Sequence, residues 1–119
     1  MAMNAHDYVA GLVEKAKKAQ AVAENFTQKD VDDLTAAVAY ALTKPEVALK
    51  FGEMLVEESG MGVPKDKQLK MFGKVKGTYC QMKGKKSVGL IEVDEEMGKE
   101  TYARPMGVIG AIIPVTNGE

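Results

Sequence analysis

The sequence VIGAIIPV at residues 108–115 is apolar at nearly every position. A strand that is apolar on both faces belongs inside a sheet covered on both sides, and such sheets are usually parallel. A central parallel strand also needs hydrogen-bonded neighbours, each reached through a crossover connection. No second run of this kind follows residue 115. We therefore expect a truncated chain, the opening part of a larger α/β fold, or one that covers this strand by oligomerising.

Upstream of this stretch, the hydrophobic period changes from helical to strand-like after Gly84. Alternating apolar residues at 88–93 predict one strand, the sequence DEEMG at residues 94–98 predicts a turn, and residues 100–103 predict the returning strand. The sequence RPMG at residues 104–107 then interrupts the pattern. We expect a β-hairpin with a charged loop.

The first 84 residues show apolar side chains spaced three and four apart, which predicts about four helices. Asp7 is the expected N-cap of the first helix, and Thr27 caps the second, with Asp30 in its first turn. Pro45 and Pro64 suit the first turns of the third and fourth helices, and Gly60 suits a left-handed end of the third. The residues expected to face inward on the fourth helix are Leu69, Phe72, Val75, Tyr79 and Met82.

Composition bounds the function further. The 119 residues are 45% hydrophobic and 28% charged, which is typical of one domain with one modest core. Cys80 is the single cysteine and no signal peptide is evident, so we expect a reducing, cytoplasmic setting. No apolar run approaches the roughly 20 residues that span a bilayer. His6 is the single histidine, and metal-ligand spacing is missing.

Charge is concentrated in one segment. Residues 65–86 contain eight lysines and one acid, Asp66, between two acidic flanks. Lys67, Lys70 and Lys74 fall on one helical face and are candidate contacts for an anion. A solvated lysine face is the simpler interpretation. Because no nucleic-acid motif is present and the net charge is −1, we expect no nucleic-acid partner, and a polyanion-binding module remains a remote alternative.

Two polar residues, Thr116 and Asn117, follow the apolar stretch. In open α/β sheets, ligands bind beyond the carboxyl ends of strands, where an asparagine amide can donate to a developing oxyanion. A Thr-Asn pair after a strand is also an ordinary turn, and the residues alone leave both interpretations open.

Three separated motifs resemble the aldehyde dehydrogenases, in the order in which that family has them. The motifs are ARPMGVI at 103–109 with IIPVTN at 112–117, EESGMG at 57–62 with KDK at 65–67, and KAKKAQ at 15–20 with FTQ at 26–28. The Pro-x-Thr-Asn form at residues 114–117 resembles the CoA-acylating branch, whose members oxidise acetaldehyde, propionaldehyde, succinate semialdehyde and sulfoacetaldehyde. The resemblance covers essentially the whole chain.

The resemblance implies an α/β fold: the N-terminal part of an aldehyde dehydrogenase-like Rossmann domain, mostly helical here, then a β-hairpin and one buried strand. It divides the chain into a helical part of the cofactor-binding domain at 1–86, the hairpin of the oligomerisation subdomain at 87–104, and a truncated first Rossmann strand at 105–119. It also implies a homo-oligomer.

The implied reaction is an oxidoreduction that converts a small aldehyde and CoA into acyl-CoA, with NAD or NADP as hydride acceptor. By resemblance, Asn117 stabilises the oxyanion. The residues that line the cofactor cleft by resemblance are Ile113, Pro114, Val115 and Thr116. The family's catalytic cysteine has no counterpart here, since Cys80 does not match it, and the family's Asn-Pro is Asn117-Gly118 in this chain.

We therefore expect the 119-residue chain to be inactive by itself and to bind neither NAD(P) nor CoA tightly. The alternative is a stand-alone, non-catalytic module of helices and a hairpin that serves oligomerisation or interaction. Binding of NAD that depends on Thr116 or Asn117 would favour the first hypothesis, and a cofactor-indifferent assembly would favour the second.

Overall fold

A computed structural model describes residues 4–118 of the chain. Within that range the chain forms four α-helices, one two-stranded antiparallel sheet and a short 3-10 helix. The elements are α1 (Ala5–Ala23), α2 (Gln28–Leu42), α3 (Pro45–Ser59), α4 (Pro64–Met82), β1 (Gly89–Asp94), β2 (Lys99–Ala103) and the 3-10 helix (Val115–Asn117). The predicted helices and hairpin are confirmed. None of the helices in the described range is long and apolar enough to cross a membrane.

The chain divides into two compact units, and the division falls within α2, after Asp30. One unit consists of the described residues up to Asp30 together with Lys86–Gly110. The other consists of Val31–Lys85 together with the described residues from Ala111 onward. The candidate site lies in the second unit.

The N-terminus of α1 corrects one prediction. Asn4, and not Asp7, is the N-cap: its backbone is extended, and its side-chain Oδ1 accepts a hydrogen bond of 2.8 Å from the backbone N–H of Asp7. Asp7 lies in the first turn, where a carboxylate is favourable to the helix dipole. The prediction placed the cap one turn too late because Asn and Asp are about equally favoured as N-cap residues.

The N-terminus of α2 is a reciprocal cap, as predicted. The backbone N–H and the hydroxyl of Thr27 both donate to Asp30 Oδ2, at 2.9 and 2.7 Å, and the Asp30 backbone N–H donates back to Thr27 Oγ1 at 3.2 Å. The hydrogen bond from the Thr27 hydroxyl, followed by that from its backbone N–H, lowers the pKa of Asp30 below its ordinary value.

The remaining helix boundaries also follow local chemistry. Pro45 and Pro64 both occupy the first turns of their helices, where the missing N–H of proline leaves no hydrogen bond unmade. Gly60 ends α3 with φ +67°, the left-handed conformation that glycine adopts most easily. These three predictions are confirmed.

The core of the second unit is small and lies along the contact between α3 and α4. A methyl group at Gly52 would lie 2.6 Å from the backbone oxygen of Pro64, so only glycine permits this approach of the two helices. The Gln68 side-chain amide also donates to the Pro45 carbonyl at 2.7 Å. The buried apolar side chains of the described residues are Ala39, Ala48, Leu55 and Met71.

The prediction that Leu69 and Met82 face inward on α4 is wrong. Leu69 and Met82 are 65% and 49% exposed, whereas Met71, which was not singled out, is 3% exposed. An ideal Cβ at Gly52 would lie 3.1 Å from Lys67 Cβ, and Met71 is four residues after Lys67, so Met71 shares the face of α4 that contacts α3. Phe72, Val75 and Tyr79 are half-buried.

The hairpin in the first unit is confirmed. Strands β1 and β2 pair antiparallel from Gly89↔Ala103 to Asp94↔Lys99, with an irregularity between Leu90 and Glu92. The turn closes through Gly98, at φ +60°, and Asp94 Oδ1 accepts from the Met97 backbone N–H at 3.0 Å.

The predicted buried strand at residues 108–115 does not form. Residues 104–114 have no regular secondary structure, and Ile112 is fully exposed. A parallel strand exists only when a neighbouring strand satisfies its N–H and C=O groups, and the described residues provide the hairpin and no further strand. The apolar pattern at residues 108–115 therefore predicts a strand, but the neighbouring strand that it would pair with is not among the described residues.

Candidate functional site

The residues that the resemblance assigned to the site lie in one short segment. Pro114 precedes the 3-10 helix Val115–Asn117, and the backbone N–H of Asn117 donates to the Pro114 carbonyl at 3.2 Å. The side chains of Ile113, Thr116 and Asn117 are exposed. The segment therefore presents an apolar group, a hydroxyl and a carboxamide together at an accessible position.

Two lysines of α4 contact this segment. Lys67 Nζ donates to the Thr116 backbone carbonyl at 2.9 Å, and Lys70 Nζ donates to Asn117 Oδ1. The amide nitrogen of Asn117 donates in turn to Thr116 Oγ1 at 3.2 Å. One ammonium group thus fixes the backbone of the segment, and the other contacts its carboxamide.

The loop between α3 and α4 accounts for the position of Lys67. Gly62 has φ +86°, and a methyl group there would lie 2.9 Å from Lys67 Cε. The Ser59 hydroxyl donates to the Leu55 carbonyl at 2.6 Å and accepts from the Met61 N–H at 3.1 Å, which fixes the path of the loop. The motif at residues 57–62 therefore lets the stem of Lys67 pass close to the backbone on its way to Thr116.

On its other side, the segment faces α3. An ideal Cβ at Gly118 would lie 3.2 Å from Leu55 Cδ1, so the chain passes close to the helix here. An open, largely apolar cavity of about 430 Å³ lies between them. Its lining residues are Phe51, Met54, Leu55, Glu58, Ile113, Pro114, Val115 and Gly118.

This arrangement suits hydrogen-bond donation to an anionic oxygen. A carboxamide has two N–H donors, and Thr116 Oγ1 takes one of those of Asn117. The residues present also fit one side of a nucleotide cofactor: Ile113 and Val115 offer exposed apolar surface, and Thr116 offers a hydroxyl.

Sequence reasoning singled out Asn117 and Thr116 but missed Lys67 and Lys70 as parts of the same site. The signal was available, because these lysines were recognised as sharing one helical face. What the sequence did not provide was the path that brings residue 117 back to the start of α4.

Cys80, the single thiol, is exposed on α4. Among residues 4–118, three or more His, Cys, Asp or Glu side chains do not come together in a way that could hold a metal ion.

Comparison with known proteins gives consistent relatives. No protein-family model matches the chain. The sulfoacetaldehyde dehydrogenase (acylating) of Bilophila wadsworthia is 42% identical over 109 residues, which is 92% of this chain and 24% of that protein. The succinate-semialdehyde dehydrogenase (acetylating) of Clostridium kluyveri is 38% identical over 89% of this chain and 23% of its own length. The chain thus spans about a quarter of the length of these relatives.

The solved structure of an acetylating aldehyde dehydrogenase from Geobacillus thermoglucosidasius has the same fold over most of this chain. Its TM-score is 0.70 at 37% sequence identity, and the match covers 76% of this chain and 20% of that one. Most of this chain therefore has a structural counterpart within a larger protein.

Proposed function

We propose that this chain, a homologue of the CoA-acylating aldehyde dehydrogenases, supplies one wall of the cofactor cleft and the oxyanion-binding asparagine of such an enzyme. The observation that carries the proposal is the identity of 42% and 38% over about nine-tenths of the chain to two acylating or acetylating dehydrogenases. These two relatives are named for different aldehydes, and both names specify an acylating or acetylating enzyme. We therefore infer the reaction class for this chain from its relatives, and we do not infer the identity of the aldehyde.

The whole enzyme converts a small aldehyde, CoA and NAD or NADP into an acyl-CoA and the reduced nicotinamide. The bound nicotinamide supplies the hydride acceptor. Asn117 donates its amide N–H to the aldehyde oxygen as negative charge develops there, and such a preorganised donor acts without reorganisation during the reaction. Ile113, Pro114, Val115 and Thr116 line the cofactor cleft, where apolar side chains next to the cavity exclude water.

The 119 residues alone turn over no aldehyde. Their one thiol, Cys80, is exposed on the surface of α4. Cys80 does not match the catalytic cysteine implied by the resemblance, and the single histidine, His6, is far from it in the sequence and so is not its general base. This chain alone also binds NAD(P) and CoA weakly, because it provides only one wall of the binding site.

The protein acts in the cytoplasm as a homo-oligomer, with residues 87–104 as the oligomerisation hairpin. The exposed apolar side chains of the hairpin support this assignment: Leu90, Ile91, Val93 and Tyr102. A two-stranded hairpin is marginal by itself in water, so a partner that covers these side chains would stabilise it.

The first experiment determines the reading frame of the source gene past the codon for Asn117, and then assays the complete gene product. We expect CoA-dependent formation of acyl-CoA from small aldehydes, followed through NAD(P)H absorbance. Asn117→Ala is expected to lower kcat about 10²–10³-fold, the usual loss for one oxyanion donor. Full activity of that variant would refute the role of Asn117, and a complete product without aldehyde oxidation would refute the enzyme assignment.

The exposed apolar segment favours one second candidate, a non-catalytic interaction module. Ile109, Ile112 and Ile113 are each more than half exposed. This hypothesis requires that the natural gene product assembles stably through this segment and that NAD(P) and CoA change neither the assembly nor its thermal stability. That result would favour the interaction module over the enzyme. Sedimentation with and without the cofactors measures this directly.

A further inference from the structure

The contact between Lys70 and Asn117 has a direction that matters chemically. A lysine ammonium group has three donors and no acceptor, whereas a carboxamide has an accepting oxygen at one end and a donating nitrogen at the other. Lys70 Nζ donates to Asn117 Oδ1, so the oxygen end of the carboxamide faces α4. The nitrogen end faces Thr116, with one N–H taken by Thr116 Oγ1.

Packing does not decide which end of this carboxamide faces α4, because the Asn117 side chain is exposed. The two orientations have the same shape, and only their hydrogen-bond partners distinguish them. In the reverse orientation, Oδ1 would face the site and repel a developing oxyanion. A cation next to Oδ1 favours the orientation in which the nitrogen remains the donor.

The second lysine of the pair stabilises the backbone beneath this side chain. Lys67 lies three residues before Lys70 on the same face of α4, and its ammonium group holds the Thr116 carbonyl at 2.9 Å. Because Thr116 and Asn117 share the 3-10 helix, this contact limits how far the Asn117 side chain moves relative to α4.

We propose that Lys70 is a positioning residue for aldehyde oxidation, which orients Asn117 so that its amide nitrogen, and not its oxygen, meets the oxyanion. This inference rests on the proposed function, since it takes Asn117 as the oxyanion donor. The ammonium charge also polarises the carboxamide, which strengthens donation from the nitrogen end. Lys70 itself does not touch the substrate.

The test compares three variants of the complete gene product. Lys70→Met removes the charge and keeps most of the length, and we expect kcat to fall about tenfold or more, with the KM values for NAD(P) and CoA nearly unchanged. Lys70→Arg keeps a side chain that only donates, so it should recover most of the lost kcat. Lys76→Met, an exposed residue of the same helix, removes the same charge and should leave kcat unchanged.

A double-mutant cycle separates positioning from a general loss of structure. If Lys70 acts through Asn117, Lys70→Met causes no further loss of kcat when Asn117 is already alanine. A loss of equal size in both backgrounds would overturn the proposal. So would equal losses in Lys70→Met and Lys76→Met.

The same cycle distinguishes this inference from the function on which it rests. Full activity of Asn117→Ala would show that the proposed oxyanion role fails. A strong loss in Asn117→Ala with none in Lys70→Met would show that only the positioning role fails.

A measurement on the 119-residue chain needs no turnover. In the ¹⁵N-labelled chain, the side-chain amide signals of Asn117 report the orientation and partners of its carboxamide. We expect Lys70→Met to shift these two signals and Lys76→Met to leave them in place. Unchanged signals in Lys70→Met, at an unchanged thermal midpoint, would contradict the proposal.

Discussion

The α3–α4 pair and the segment 108–115 are both rich in apolar side chains, yet of the two regions only the helix pair fully buries any of them. Met71 on α4 is 3% exposed, whereas Ile112 is fully exposed. Both regions contain glycine and proline, so composition does not explain the difference. The helices contact each other closely, and the segment from residue 104 to residue 114 has no regular structure.

The difference comes from where each region finds its hydrogen bonds. A helix satisfies its N–H and C=O groups within its own segment, so one apolar stripe and one neighbouring helix are sufficient to fold it. An apolar strand depends on a neighbouring strand for the same groups, and burial follows only once the pair has formed. The hairpin satisfies this need through a short turn, since β2 follows β1 directly.

The largest expected effect is a contrast between two truncations to alanine. Met71→Ala should destabilise the chain by about 2–5 kcal/mol, because it removes buried methylenes and leaves a cavity against α3. Ile112→Ala should change stability by less than about 0.5 kcal/mol, because its side chain contacts water already. Urea unfolding of the chain measures both.

The same two variants test whether the segment 108–115 becomes a β-strand when a neighbouring strand is present. In a longer or assembled form that supplies a neighbouring strand, Ile112→Ala should become strongly destabilising. A large effect of Ile112→Ala on the chain alone would show instead that this segment is buried in solution.

A smaller effect is expected from the glycine at the crossing of the two helices. Gly52→Ala should destabilise by about 1–2 kcal/mol, because the new methyl group would lie 2.6 Å from the Pro64 carbonyl oxygen. The better helix propensity of alanine offsets part of this loss.

Gly73→Ala on α4 is the matched control. Nothing lies within 4 Å of a methyl group at that position, so the substitution should stabilise by about 0.5–1 kcal/mol. Opposite signs for the two variants in thermal unfolding would confirm close packing at Gly52, and a gain in both would contradict it.

The cap at the start of α2 depends on neither helix packing nor a partner strand. Thr27→Ala should cost about 1 kcal/mol at neutral pH through loss of the cap on α2. Because hydrogen bonds from Thr27 lower the pKa of Asp30 in the folded chain, Asp30 stabilises the fold above its unfolded pKa. That contribution is lost as the pH falls through the lowered, folded pKa.

Measuring the free energy of unfolding of both chains as a function of pH tests this prediction. The stability difference between the original chain and Thr27→Ala should shrink below about pH 4, and the pKa of Asp30 measured by NMR should rise in the variant. A difference that stays constant down to acid pH would show that Asp30 does not contribute through its charge.

The candidate site was predictable in part. Asn117 and its four preceding residues were identified because they match a family pattern, and their roles remain predictions. Lys67 and Lys70 were recognised only as members of a basic face. The contact between residues 70 and 117 depends on the chain path after the hairpin, and no local pattern encodes that path.

Local sequence patterns predict the features that depend on neighbouring residues: the four helices, the proline starts of α3 and α4, the left-handed end at Gly60 and the hairpin. Periodicity and capping fix these because their interactions span a few residues. Contacts between distant residues set which face of α4 is buried, which glycine permits the close approach of α3 and α4, and which lysine contacts Asn117. Those contacts join residues far apart in the chain, so their energies depend on packing geometry that a local pattern does not contain.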